Sequence, residues 1–325
     1  MIVHPELRAL RGDDSPQRHA QERCLEALAD WRTIPQVMDV MADLSAFASG
    51  RPLSACGALA RLFTPDDAAA DEFVGSFMRT QIGALAAAPL GHPALRHFTD
   101  GVLSTLQLGR AGMVTLTLAA VDGQALASRP MPASVTFAPV ETWQRVLAGS
   151  ARADLVERRP SWSRDDSPDR PMLNLSPGQV HHRLGLEREL LLREVHGRLV
   201  TLRLQRRDPA AGPAVEIDLA TGHQLHQSAG SSADSRRELM VSLLGRMQRA
   251  EAAPTIAEVA LGAGGEGMRW QALRECLSLD TAIGFNALQV LAGRTEDPLH
   301  RPAGELLGTL LAAYPQLKDL AACPA

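Results

Sequence analysis

The stretch LSPGQVHHRLGLERELLLREVHGRLVTLRL, Leu175 to Leu204, decides how the middle of this chain is read. It holds a Pro-Gly turn, a histidine-bearing segment, and then a run in which apolar and polar residues alternate. In RLVTLRLQR, Leu199, Thr201, Arg203 and Gln205 fall on one face and Val200, Leu202 and Leu204 on the other, the two-residue period of a strand. His196-Gly197 reads as a tight turn between a strand over Glu189–His196 and another over Leu199–Arg206.

The same texture extends outward. MVTLTLAAVDG alternates and ends in the turn pair Asp122-Gly123, and ASVTFAPV repeats the pattern. Further candidates lie at Ala151–Val156, Met172–Leu175 and Ala214–Leu219. Between Met113 and Gln227 this makes roughly seven to nine short strands, enough for an antiparallel sandwich or barrel. The polar segment Arg158–Pro171 is a loop in their midst. Before Leu103 the spacing is helical: Cys24, Leu25, Leu28 and Trp31 share a face, Ile34–Phe47 and Ala55–Phe63 continue, and Thr64-Pro65-Asp66-Asp67 caps a long helix with Phe73, Phe77 and Leu85 inward. After QSAGSSADS, Gln227–Ser235, helices return. Arg237, Arg269 and Arg301 lie 32 residues apart, each opening a helix with an apolar face (Leu239 with Leu243, Leu273 with Leu277, Leu306 with Leu310), an internal repeat of helix pairs. The expected organisation is α+β in three parts: an N-terminal helical region (1–102), an antiparallel β domain (103–230) and a helical domain (231–325).

Composition removes whole classes of function. A net charge of −4 over 325 residues lacks the basic surplus that neutralising nucleic-acid phosphates requires. No run reaches the roughly 18 apolar residues of a spanning helix, and Met1–Leu10 has no apolar leader core, so a cytoplasmic location without membrane contact is expected. The four cysteines, Cys24, Cys56, Cys276 and Cys323, form no C-x-x-C pair, which suggests a reduced compartment with neither disulfide framework nor structural zinc. Lys318 is the only lysine among 33 basic residues and Tyr314 the only tyrosine, so lysine- and tyrosine-based chemistry is confined to the tail. No G-x-x-x-x-G-K-[ST], G-x-S-x-G or H-E-x-x-H is present.

Two family resemblances add to this reading. GMRWQALRECLSL (Gly267–Leu279) and DPLHRPAGELLGTL (Asp297–Leu310) resemble the helical HEAT repeat, with Asp297, Arg301, Ala303 and Leu307 matching its inner-face run and Arg269, Ala272 and Leu273 part of it. That resemblance implies a protein-binding helical face. Leu175–Leu204 more weakly resembles a cupin-type jelly roll, which implies a barrel and a metal centre. The H-x-H of the metal-binding cupin motif is missing here: His181 and His182 are adjacent and point to opposite faces. The metal set compatible with the resemblance is His181 or His182, Glu187, His196 and one of His223 or His226, with His182, Glu187, His196 and His226 as the leading choice; imidazoles plus a carboxylate suit iron, copper or manganese.

Other features have ordinary structural readings. His92 and His97 are five apart, fitting neither a helical nor a strand pair; Cys276 sits beside an apolar stripe without a sequence-adjacent base; and LGAGGEG is an interhelix loop able to cradle an anion but lacking a preceding strand. The arginine-rich runs at Arg158–Pro160 and Leu204–Asp208 are interleaved with aspartates, as on a solvated rim. Arg269, Trp270, Arg274 and Arg301 are of the types that dominate interfaces. The leading expectation is therefore a bacterial-type, non-catalytic scaffold or accessory protein with a protein or peptide partner and no cofactor. The alternative is a cupin-like, metal-dependent oxidoreductase or isomerase acting on a small molecule or peptide. Oligomeric state is open.

Overall fold

The computed structural model describes residues 12–158, 170–208, 212–228 and 232–317. The chain is a mixed α+β protein with antiparallel sheets, and it divides into two compact units, residues 1–208 with 219–222 and residues 209–218 with 223–325.

The first unit opens with four helices, α1 (Ser15–Arg32), α2 (Pro35–Ala48), α3 (Gly57–Arg61) and α4 (Ala69–Ala87). Each long helix buries one stripe: Cys24, Leu28 and Trp31 on α1, Val40, Leu44 and Phe47 on α2, Phe73 and Phe77 on α4. Within the expected cap sequence Thr64–Asp67, Asp67 lies just ahead of the N-cap position Ala68, and its carboxylate accepts from the Ala69 backbone N–H at 2.9 Å. Trp31 packs its ring edge against Phe77 and its indole N–H donates to Ser76 at 3.0 Å, so the one polar atom of the largest core side chain is satisfied.

A seven-stranded antiparallel sheet follows: β1 (His97–Thr99), β2 (Leu103–Ala111), β3 (Val114–Asp122), β5 (Val140–Glu157), β6 (Met172–Leu175), β7 (Val180–Leu184) and β8 (Arg188–Arg207), in the order β1-β2-β3-β8-β5-β6 with β7 also on β5. A short helix α5 (Gly123–Ala127) and strand β4 (Ser134–Phe137) lie between β3 and β5. The expected turn at His196-Gly197 is instead an irregularity inside one continuous 20-residue strand, β8. Gly197 has a φ of +69° and, facing it, Gly149 has +79°; here the β5–β8 register slips, with Ala148 opposite Val200 but Ser150 opposite His196. The glycines permit a bulge where a turn seemed necessary.

The register also shows that the sheet is rolled. Glu141 pairs with Leu184 and Glu157 with Arg188, so the two ends of β5 are joined by a link of only four residues. A straight strand from Glu141 to Glu157 would be roughly 53 Å long, whereas four residues reach about 14 Å. β5 must therefore curl back, and β8 with it.

One face of the roll is covered by the helices: Leu108, Leu116, Leu202 and Leu204 join Trp31, Phe47 and Phe73 in a single buried cluster. Arg145 fastens these layers, its buried guanidinium donating to the carbonyls of Thr64 (2.5 Å) and Asp67 (2.6 Å) in the α3–α4 loop. A second cluster, including Val121, Val146, Ala153, Leu175 and Leu199, fills the other face where β6 lies. Along Leu199–Arg206, Leu202 and Leu204 are buried on the helix side and Leu199 and Thr201 on the other, while Arg203 and Gln205 are half-buried.

The second unit contains the hairpin β9 (Val215–Asp218) and β10 (Gln224–Gln227) and helices α6 (Ser232–Arg246), α7 (Ala253–Leu261), α8 (Glu266–Leu279), α9 (Thr281–Gly293) and α10 (His300–Ala313). Consecutive helices pack from α7 to α10, and α6 also meets α8 while α7 meets α9. The apolar face expected on α6 is turned outward: Leu239 is 70% and Leu243 54% exposed, and Val241 is the residue that enters the core. Arg237 lies in the second turn of α6 rather than at its start. No described helix is long and apolar enough to cross a membrane.

Candidate functional site

The face of the rolled sheet opposite the helices is lined by polar side chains at its centre. Register and the two-residue period set Thr142 and Gln144 of β5, Thr201, Arg203 and Gln205 of β8, His181 and Arg183 of β7, and Thr115 and Thr117 of β3 on this one face. Gln144 stands directly between Arg203 and His181, and Thr142 between Gln205 and Arg183. Thr142, Gln144 and Thr201 are all buried, so this polar surface is interior. Alternation produces it: the odd residues of β8 from 201 to 205 are polar while Leu202 and Leu204 pack under the helices.

The charges are unequal. Arg183 donates from Nε to Glu189 at 3.0 Å and from a terminal nitrogen to the Gln144 amide oxygen at 3.4 Å, so its charge is compensated. Arg203 donates only its Nε, to the Thr201 hydroxyl at 3.2 Å, and neither terminal nitrogen bonds any described residue. Its side chain is half-buried. Burial pushes its pKa down to about 10, with Arg183 adding to the effect and Glu189 opposing it, so it stays charged at neutral pH. His181 is held below the usual histidine range by burial and then by Arg183, and its buried Nε2 has no described partner. A cavity of about 220 Å³ opens beside this face, sharing Thr115 and Gln205 with it and bordered by Arg110, Met113, Val140 and Arg207. The alternation at Arg203 is legible in the sequence, but the curling that encloses its face depends on pairings distant in sequence.

The residues of the metal set are not brought together. His182 lies on the helix-side face, stacked on Trp143 at 4.7 Å and bonded to Glu141 at 3.0 Å, which in turn holds Arg206. His181 is the one that looks inward, as opposite-facing neighbours require. Glu187 is exposed in the β7–β8 link, His196 is exposed at the bulge 3.8 Å from Glu194, and His226 is exposed on β10 in the second unit. Among the described residues no group of three or more His, Cys, Asp or Glu side chains is placed to hold a metal ion, so no chemistry is routed through one.

The four interaction residues separate into three settings. Arg269 is buried and structural: it donates to both carboxylate oxygens of Asp297 and to the Ala260 carbonyl, pinning α8 to the α9–α10 loop and α7. Arg301 is exposed and pairs with Glu305 one turn on. Trp270 and Arg274 line an apolar groove of about 580 Å³ with Phe285, Leu306, Leu310 and Tyr314. Cys276 is fully buried and its thiol is pushed up to about 11 by burial first and Asp280 second, as for a packing residue.

No known family model matches the chain, and no curated protein does. Among solved structures it is similar to a cupin superfamily protein from Desulfitobacterium hafniense DCB-2, at 16% identity over 34% of this chain and 83% of that one, with a TM-score of 0.23. HutD from Pseudomonas fluorescens SBW25 is similar at 16% identity over 36% and 58% of the two chains, TM-score 0.24. A structure of DMSP lyases is similar at 18% identity over 61% and 97%, TM-score 0.26. At such TM-scores the functional reading rests on the geometry of the chain itself.

Proposed function

We propose that this is a binding protein whose first unit holds a small polar molecule on the inner face of its rolled sheet, without a metal. The observation that carries this is the buried polar row Thr142, Gln144 and Thr201 beside the half-buried Arg203, where an apolar interior would have been the less costly filling. A polar row continued into a cavity, here through Thr115 and Gln205, is what orients and selects a ligand. The test is thermal-shift screening of the full-length protein against small polar metabolites, repeated on Gln144→Leu. The reading expects compounds that raise the melting temperature of the wild type and lose that effect in the variant. Equal stabilisation of both proteins, or stabilisation by none, would remove it.

The groove at Trp270 and Arg274 favours a second role, docking of an apolar segment of a protein or peptide partner on the second unit, in line with the HEAT-like reading of its helices. Partner capture that survives Trp270→Ala combined with Arg274→Ala would dismiss it.

A further inference from the structure

Resting on the small-molecule reading, we infer that the anchoring group of the ligand is a carboxylate, received by the two terminal nitrogens of Arg203. A guanidinium presents its donors as a planar fork that matches the two oxygens of a carboxylate. On this face the Arg183 fork is turned to Glu189 and Gln144, while the Arg203 fork has no described partner. The charges select an anion: in the central rows two guanidiniums face one carboxylate, Glu189, and Arg110 and Arg207 at the adjoining cavity add positive charge. A buried, uncompensated charge is costly, and a carboxylate arriving at Arg203 relieves it where a neutral group does not. Gln144, opposite Arg203 in the register, and the His181 Nε2 on the far side of Gln144 are placed to bond further polar atoms of the same ligand.

The experiment is calorimetric titration of the full-length protein with monocarboxylates from acetate to octanoate and benzoate, each paired with its primary amide, and with inorganic phosphate. Binding of one or more acids at least tenfold tighter than the matching amides is expected, with a further loss of tenfold or more in Arg203→Lys, which keeps the charge but not the fork. Glu189→Gln, which removes the opposing carboxylate, is expected to tighten acid binding; this gain keeps the inference testable should Arg203 variants fold poorly. Amides binding as well as acids, phosphate binding better than either, undiminished affinity in Arg203→Lys, or weaker acid binding in Glu189→Gln would each overturn it. Neutral compounds that bind in a Gln144-dependent, Arg203-independent manner would overturn the carboxylate while leaving the small-molecule reading intact. If none of these compounds binds, the carboxylate falls, and the small-molecule reading stands or falls with its own metabolite screen.

Discussion

Replacing Gly149 by alanine tests the bulge that rolls the sheet. Gly149 has a φ of +79°, a region costing a residue with a side chain about 1–2 kcal/mol. A methyl group there would also overlap the Arg198 carbonyl oxygen and stand 2.8 Å from its carbon and 3.1 Å from the Leu199 Cα. Those atoms belong to the paired backbone of β8 and cannot swing aside, so the overlap adds about 1–3 kcal/mol. The total is about 4 kcal/mol. Gly197 supplies the control, because its φ of +69° carries the same backbone penalty with nothing within 4 Å of an added methyl. Gly197→Ala should therefore cost only about 1–2 kcal/mol. Urea unfolding followed by tryptophan fluorescence in a Trp270→Phe background confines the signal to the first unit. The expected order is a large fall in midpoint for Gly149→Ala, a small one for Gly197→Ala, and unchanged slopes. Equal losses in the two variants would refute the argument, since the backbone term alone would then account for both.

In the second unit, Asp297→Ala leaves Arg269 buried and unpaired and should cost about 3–5 kcal/mol, whereas Arg301→Ala, at an exposed pair, should be nearly neutral in the same urea assay. The Asp297 carboxyl is lowered chiefly by its hydrogen bond from Arg269, so its stabilisation is present above the unfolded carboxylate value near 3.9 and is lost as pH falls through the depressed folded value; the gap between wild type and Asp297→Ala should close in acid. Cys24, Cys56 and Cys276 are all buried, so a Cys323→Ser protein should show no thiol reactive to a disulfide reagent until it is unfolded. His182 is stacked on Trp143, so His182→Ala should change native tryptophan emission while leaving any carboxylate affinity at Arg203 unaltered.

Much of the fold can be read locally. Strand β6 over Met172–Leu175 and β3 over Val114–Asp122 follow from alternation, and α9 follows from its helical spacing, its start fixed by Asp280, whose side chain accepts from the Ala282 and Ile283 backbone N–H groups. The failures share a cause. His196-Gly197 resembles a turn because positive φ is common to turns and bulges, and only the facing strand distinguishes them. Leu239 and Leu243 show helical spacing but not which side of α6 meets α8. At the candidate site, Trp270 and Arg274 were legible as interface types, while Arg269 of the same helix turned inward to Asp297, a partner 28 residues away. The inner polar row escaped because Gln144, His181 and Arg203 come together only through a closure that no local pattern encodes.

The register of β8 also bears on how the chain is made. Its outer half, Arg198–Arg206, is sandwiched between β3 and β5, and its Leu202 and Leu204 complete the floor on which Trp31 and Phe47 rest. A chain still on the ribosome and not yet past Leu204 possesses the helices but lacks the central strand that β3 and β5 share. Synthesis must therefore run through nearly two-thirds of the sequence before the first helices find their seat. The pairings that then form are distant in sequence, which makes closure slow. Until β8 emerges, β3 and β5 each offer an unpaired edge, and that interval is when a holding chaperone has most to do for this protein.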